Sequence, residues 1–248
     1  MIQGISTWLE DFKADFQLNF IESDRWLSLL KGLWATLQIT FFALLIGIVI
    51  GIVVAAIRST YDKTHEEMKK NGGLGYFVMK LLNGICHVYL TVIRGTPAVV
   101  QLMIFYFIIF ASSRNGLMIA SVAFGINSGA YVAEIFRGGI LSIDNGQFEA
   151  GRSLGFNYLQ TMVYIILPQV FKTILPTLCN EFIVLIKETS VAGYVGVIDL
   201  TKAGDIIRGR TFSAFMPLIA VALIYLVLVV ILTYFVRLLE RRLRKNER

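Results

Sequence analysis

Three features of the chain predict an all-α, polytopic membrane protein with about five transmembrane helices. Of its 248 residues 56% are hydrophobic and 16% are charged, and the mean hydropathy is +0.69, well above that of a soluble domain. Charge-free apolar runs recur along the chain, and two are long enough to cross a bilayer without interruption. The basic residues behind the net charge of +6 gather at the ends of those runs. That is the layout of a topology signal and excludes a nucleic-acid stripe. The two cysteines, Cys86 and Cys179, lie inside apolar stretches, with neither a disulfide framework nor metal-ligand spacing, and read as packing residues.

The first 28 residues form an external segment. Trp8, Glu10, Asp11 and Asp15 stand where a signal peptide has a basic region and a short apolar core, so insertion is expected to rely on the first span. Trp8, Phe12, Phe16 and Phe20 recur every four residues, giving one apolar helix face. That face suits a helix lying on the membrane surface, or an arm packed against its own bundle. Residues 29–240 form the transmembrane domain. Gly32 to Ile57 carries no charge over 26 residues, about 39 Å as a helix, and is the first span. The polar stretch from Thr60 to Gly75 reads as a loop. Residues 81–113 read as one long span interrupted by Arg94-Gly95-Thr96-Pro97, and after a turn near Arg114 a third span runs from Asn115 to near Gly138. The fourth, Tyr158 to Lys187, carries Pro168, Lys172, Pro176, Glu181 and Lys187, so it is the most polar and the most prone to kink. Thr211 to Val236 is the last span, followed by a basic tail over 241–248.

Five spans put the termini on opposite sides. With the N-terminus outside, the inner segments hold 13 basic residues and the outer ones 8, which predicts a cytoplasmic C-terminus.

The connector beginning at Asp144 has the marks of a short helix. Asp144 suits its N-cap with Gln147 in the reciprocal position, and Gly155 suits the left-handed residue that ends it. Further on, Glu149-Ala150-Gly151, three residues, Gly155, nine residues and Ile165-Ile166-Leu167-Pro168 closely resemble the cytoplasmic coupling signature of ABC importer membrane subunits, Glu-Ala-Ala-x3-Gly-x9-Ile-x-Leu-Pro. Only Gly151 departs, standing where the signature has Ala, a change that loosens a helix by up to about 1 kcal/mol. Further stretches resemble the members that import polar amino acids such as histidine, glutamine and arginine: Lys31 to Leu37, Arg94 to Pro97, Ala130 to Ile140, Asn180 to Phe182 and Lys187 to Ser190. The resemblance spans roughly residues 25–240.

That resemblance implies the type I ABC importer fold, with a coupling loop over 144–168. Gln147, Phe148, Glu149, Ala150, Gly151, Arg152, Ser153, Leu154 and Gly155 are then the helix that sits in a groove of the ATPase subunit. It implies a bacterial inner membrane, an ATPase dimer inside, an extracellular amino-acid-binding protein, and a second permease subunit, identical or related. The chain has no Gly-x4-Gly-Lys-Ser/Thr loop, so ATP and Mg are expected on the partner ATPase and no cofactor or catalytic role on this chain.

Ionisable groups inside spans cost several kcal/mol unless they face a cavity or a partner. Arg94, Glu134, Lys172, Glu181 and Lys187 are such groups. They suit internal salt bridges, for instance Lys172 or Lys187 with Glu181, and equally a zwitterionic substrate. In the second case Glu181 with Asn180 suits the ammonium. Arg94 and Thr96, at the interrupted span, suit the carboxylate. Glu134 is the weaker candidate, because Arg137 one turn on can satisfy it. His87 reads as a packed neutral histidine, and Gly193, Gly196 and Asp199 as part of an external loop that re-enters or gates. An ion-coupled secondary transporter or channel using Glu134 and Glu181 is the alternative function, against which the absence of an inverted repeat weighs.

Overall fold

The computed structural model describes residues 10–245, and apart from short turns it is helical throughout. Trp8 and residues 246–248 lie outside the described residues. Among the described residues five helical stretches are long and apolar enough to cross a membrane. In chain order the helices are α1 (Arg25–Asn71), α2 (Leu74–Gly95), α3 (Ala98–Ile104, continued by a π-turn over Phe105–Ile109), α4 (Gly116–Leu141), α5 (Asn145–Ser153) and α6 (Tyr158–Thr161). A π-turn over Met162–Ile166 joins α6 to α7 (Leu167–Glu188), a 3-10 segment covers Thr189–Val195, and α8 (Leu200–Thr211) and α9 (Phe215–Lys245) follow.

The centre of the bundle is a seam between α1 and α4. Both helices carry a Gly-x3-Gly pair, Gly47/Gly51 and Gly125/Gly129, and each pair lets its backbone approach the other helix. A Cβ built on Gly51 would stand 2.4 Å from Val132 Cγ1, and one on Gly125 would stand 2.7 Å from Ile46. Ile46 meeting Gly125 and Gly51 meeting Val132 make the two helices parallel. α7 runs antiparallel to α4, with Gly139 against Ile174 near the α5 end and Ser128 bonded to Glu181 further along.

The interrupted second span is two helices. α2 packs Cys86 and Leu90 against Ala130 and Ala133 of α4 and Val54 of α1. The chain breaks at Thr96, whose extended backbone (φ −123°, ψ 147°) is what a residue before proline adopts, and α3 then continues alongside the first half of α4. Pro97 has no N–H for Ile93 O, the carbonyl one turn back. Gln101 supplies it: Nε2 donates to Ile93 O (2.8 Å), Thr96 O (3.1 Å) and Thr96 Oγ1 (2.8 Å), while Gln101 Oε1 accepts from buried Asn127 Nδ2 (3.0 Å). A backbone break within a span is tolerated only with such internal satisfaction.

Three expectations change. The polar stretch after Thr60 is no loop, since α1 continues as helix to Asn71 and the chain turns only at Gly72 and Gly73, both at positive φ. The last span begins at Phe215, because Thr211 ends α8 and Phe212 turns the chain at φ 53°. Of the aromatic stripe at the N-terminus, Phe20 is buried with Leu29, Leu200, Ala203 and Ile207, whereas Phe12 and Phe16 are exposed. Buried Asn19 accepts from Thr211 Oγ1 (2.8 Å), so that end of the lead-in is fastened to α8. The basic tail continues α9 as helix to Lys245.

The segment between α7 and α8 folds inward: Ala192, Val195 and Val197 join Ile39, Leu102 and Phe124 in one core cluster. Buried Asp199 then caps α8, accepting from the amides of Thr201 (3.2 Å) and Lys202 (3.1 Å). Burial pushes its carboxyl up, against the pull of those two amides. On the exposed face of α8, the hydrogen bonds from Arg208 and Lys202 hold the Asp205 carboxyl below its ordinary range.

Candidate functional site

The first candidate site is α5, at the end of the bundle opposite α8. Its N-cap is Asp144, whose Oδ1 accepts from Gly146 N (2.6 Å). The expected reciprocal bond from Gln147 is replaced by a contact across the connector, where Gln147 Oε1 accepts from Gln169 Nε2 (3.4 Å). The true capping box belongs to α6, between Asn157 and Gln160 (2.9 Å in each direction). The C-terminus closes as a Schellman motif: Gly155, at φ 81°, donates to Arg152 O (2.9 Å) and Phe156 N donates to Gly151 O (3.0 Å).

The nine residues divide by face. Phe148 and Gly151 are buried toward the bundle, whereas Gln147, Glu149, Ala150, Arg152, Ser153, Leu154 and Gly155 are exposed. Leu154 at 71% and nearby Leu159 at 68% present apolar surface to whatever covers this end. Gly151 is a packing requirement: a Cβ there would stand 2.6 Å from Thr161 Cγ2 and 2.7 Å from Thr161 Oγ1. Thr161 is stiff about χ1 and its hydroxyl is held by Asn157 O (3.0 Å). Gly151→Ala is therefore expected to destabilise the protein by about 1–3 kcal/mol of overpacking, outweighing the gain in helix propensity of about 1 kcal/mol. Thermal unfolding in detergent checks this, and adding Thr161→Ala, which removes both clashing atoms, is expected to restore the parent midpoint.

The second candidate site lies within the spans. Glu134 stands between two arginines, Arg94 Nη1 at 3.6 Å and Arg58 Nη1 at 4.0 Å. The guanidinium of Arg94 also lies 5.9 Å from the Tyr131 ring centroid. These groups, with His87 and Thr91, line an open cleft of about 530 Å³. Two expectations are corrected here. Arg137 does not satisfy Glu134; it donates from Nε to Asp62 (3.2 Å), with Nη2 3.1 Å from the same carboxylate. His87 is exposed to the cleft and not packed in a core. Thr96 is exposed too, its Oγ1 donating to Val92 O (2.8 Å) while it accepts from Gln101.

Glu181 is half-buried and accepts from Ser128 Oγ (2.9 Å), with exposed Asn180 beside it. Among the described residues no ion pair joins it to Lys172 or Lys187, both of which are exposed. Glu134 and Ser128 lie about 120° apart round α4. Arg94 and Glu181 thus sit on different flanks of α4 and are not brought together within one chain. Two polar stripes are exposed along apolar spans: His87, Thr91 and Arg94 on α2, and Lys172, Thr173, Thr177 and Asn180 on α7. Gln101, Asn127 and Ser128 escaped the sequence reading, although each is an uncharged polar residue inside an apolar run and buried here.

Comparison with known proteins supplies the wider setting. Residues 72–245 match the family of binding-protein-dependent transport system inner membrane components. A glutamine transport system permease protein, GlnP, of Escherichia coli K12 is 43% identical over 169 residues, covering 66% of this chain and 77% of that protein. A Rickettsia bellii protein carrying the same GlnP name is 34% identical over 224 residues, covering 89% and 95%. Among solved structures, a chain of an amino acid ABC transporter crystallised with histidines superposes with a TM-score of 0.76 at 37% identity, over 90% of this chain and 98% of that one. A chain of the inward-facing MetNI methionine ABC transporter, at 21% identity and a TM-score of 0.72 over 87% and 95%, shares the fold. This chain belongs to the family of binding-protein-dependent transport system inner membrane components.

Proposed function

We propose that the chain is the permease subunit of an ATP-driven importer of polar amino acids. The observation that carries this reading is α5: a rigidly capped helix with an exposed outer face, in the position of the signature it resembles. The names of its relatives, glutamine transport and an amino acid transporter with histidines, supply the substrate class. In this reading α5 faces the cytoplasm, the N-terminus lies outside, and an ATPase dimer carrying ATP and Mg docks on the exposed Gln147, Glu149, Ala150 and Arg152 to Gly155. An extracellular binding protein delivers substrate near α8. A second permease subunit, identical or related, covers part of the exposed polar stripes and the two enclose the path. ATPase closure then drives the two α5 helices together and turns the path outward, and hydrolysis resets it.

Copurification with an ATPase, followed by hydrolysis measured across a panel of amino acids with the binding protein present, tests this. Stimulation by one or a few polar amino acids is expected. Uptake driven by an ion gradient in the absence of ATP would instead establish the secondary-transporter alternative.

Within the path, Arg94 is the group we assign to the substrate carboxylate, with Thr96 beside it; Glu134 holds Arg94 in place. Glu181 and Asn180, on the other flank of α4, serve the ammonium across the interface with the second permease subunit. Arg94→Ala removes a charge-assisted contact of about 1.5–3 kcal/mol, so the apparent KM for uptake is expected to rise roughly 10- to 150-fold. An unchanged KM at normal membrane levels would remove Arg94 from the path.

A further inference from the structure

The helix α5 is fastened to a helix remote from it in sequence. Lys63, on the polar extension of α1, donates from Nζ to Asn145 Oδ1 (2.8 Å). Its ammonium also stands 4.7 Å over the centroid of the Phe148 ring, a cation–π contact. Phe148 in turn stacks on Tyr158 with ring centroids 6.4 Å apart and planes 12° from parallel. One residue before Lys63, Asp62 grips Arg137 at the end of α4. The α1 extension therefore holds both the inner face of α5 and the helix that leads into it.

The same α1 is one helix of 47 residues, roughly 70 Å long. Toward its other end Thr36 Oγ1 accepts from Leu200 N (3.1 Å), at the first residue of α8. Gly32 lies so close to Asp199 that a Cβ would stand 2.7 Å from its carbonyl oxygen. A single helix thus touches α5 at one face of the bundle and α8 at the opposite face. Of the other long helices near α5, α4 begins only at Gly116 and α7 ends at Glu188, where the 3-10 segment separates it from α8.

We propose that Lys63 is a positioning residue that ties α5 to α1, making α1 a rod along which the state of the external face is transmitted to α5 and back. The proposal rests on the importer reading. Its test uses the intact transporter, with ATPase and binding protein, in proteoliposomes. A parent transporter without ATP-dependent uptake would remove the importer reading itself, so the two failures are distinguishable.

For Lys63→Ala, unstimulated hydrolysis is expected to persist while the increment produced by loaded binding protein falls at least about fivefold, the low end of coupling between distant sites. Uptake falls in parallel. Lys63→Arg, which keeps a cation over Phe148 and a donor for Asn145, is expected to restore most of the increment. Asn145→Ala is expected to give a smaller loss, and the double variant to be no worse than Lys63→Ala alone. Full stimulation and uptake in Lys63→Ala at matched transporter amounts would overturn the proposal. So would an equal fall in unstimulated hydrolysis that Lys63→Arg does not restore, because that marks a general assembly defect. Should Lys63→Ala fail to assemble, Asn145→Ala alone decides: a selective loss of stimulation supports the proposal and unchanged stimulation overturns it.

Discussion

Replacing Gly155 by valine is expected to reduce ATP-dependent uptake at least about tenfold without reducing the amount of protein in the membrane. Gly155 sits at φ 81° and closes α5 by donating to Arg152 O. A β-branched side chain there costs about 2 kcal/mol or more, enough to lower the population of the closed end by roughly 30-fold. Once that turn opens, Phe156 N leaves Gly151 O, and the exposed surface at Leu154 is no longer presented in one geometry. Nothing lies within 4 Å of a Cβ built on Gly155, so backbone conformation alone carries the effect. Asparagine tolerates the left-handed region, so Gly155→Asn is expected to keep most of the uptake. Comparing the two variants in membrane vesicles, with transporter quantified by immunoblot, checks this. Equal uptake by parent and Gly155→Val would show that the geometry of the α5 end is not needed for coupling.

How far the sequence foretold these features depends on how local their causes are. The spans were legible because lipid exposure demands long apolar runs, and a run is a local property. Gly155 was legible for the same reason, since a helix end needs a left-handed residue whatever it packs against. The stretch after Thr60 is polar enough to predict a loop. It is helix because the extension is anchored from outside, by Arg137 on Asp62 and Asn145 on Lys63, and neither partner is near in sequence. The expected partner of Glu134 is displaced likewise. The i,i+3 partner Arg137 was available, but Asp62 took it, leaving Arg94 and Arg58 for Glu134. Gln147 had the right spacing for a capping box, yet the return of α7 offered it Gln169 instead. In each case a long-range partner displaced a local one, and only the register between helices decides that.

That register is set by the α1–α4 seam, and Gly51→Leu is the substitution expected to damage it most. A Cβ at residue 51 would meet Val132 Cγ1 at 2.4 Å, Val132 Cβ at 2.7 Å and the Ala133 backbone nitrogen at 2.9 Å. The valine is β-branched and the nitrogen belongs to α4 itself, so neither can swing aside. The helices must separate, and separation also opens the approach of Gly47 to Ser128 and of Gly129 to Ile50. An overpacked core position costs about 1–3 kcal/mol, and further contacts are lost here, so a destabilisation of about 3 kcal/mol or more is expected. For a chain of this size that lowers the unfolding midpoint by roughly 6–12 °C, measurable with a thiol-reactive dye in detergent. Gly84→Leu is the control: a Cβ at Gly84 meets nothing within 4 Å, and the same side chain there is expected to leave the midpoint unchanged. Val132→Ala combined with Gly51→Leu should recover only part of the loss, because it removes the clash with Cγ1 and leaves the backbone nitrogen where it was. Full recovery would mean that side-chain packing limits the approach of α1 to α4. A Gly51→Leu protein as stable as the parent would mean that the seam does not hold α1 at all, and that α1 cannot carry a signal from α8 to α5.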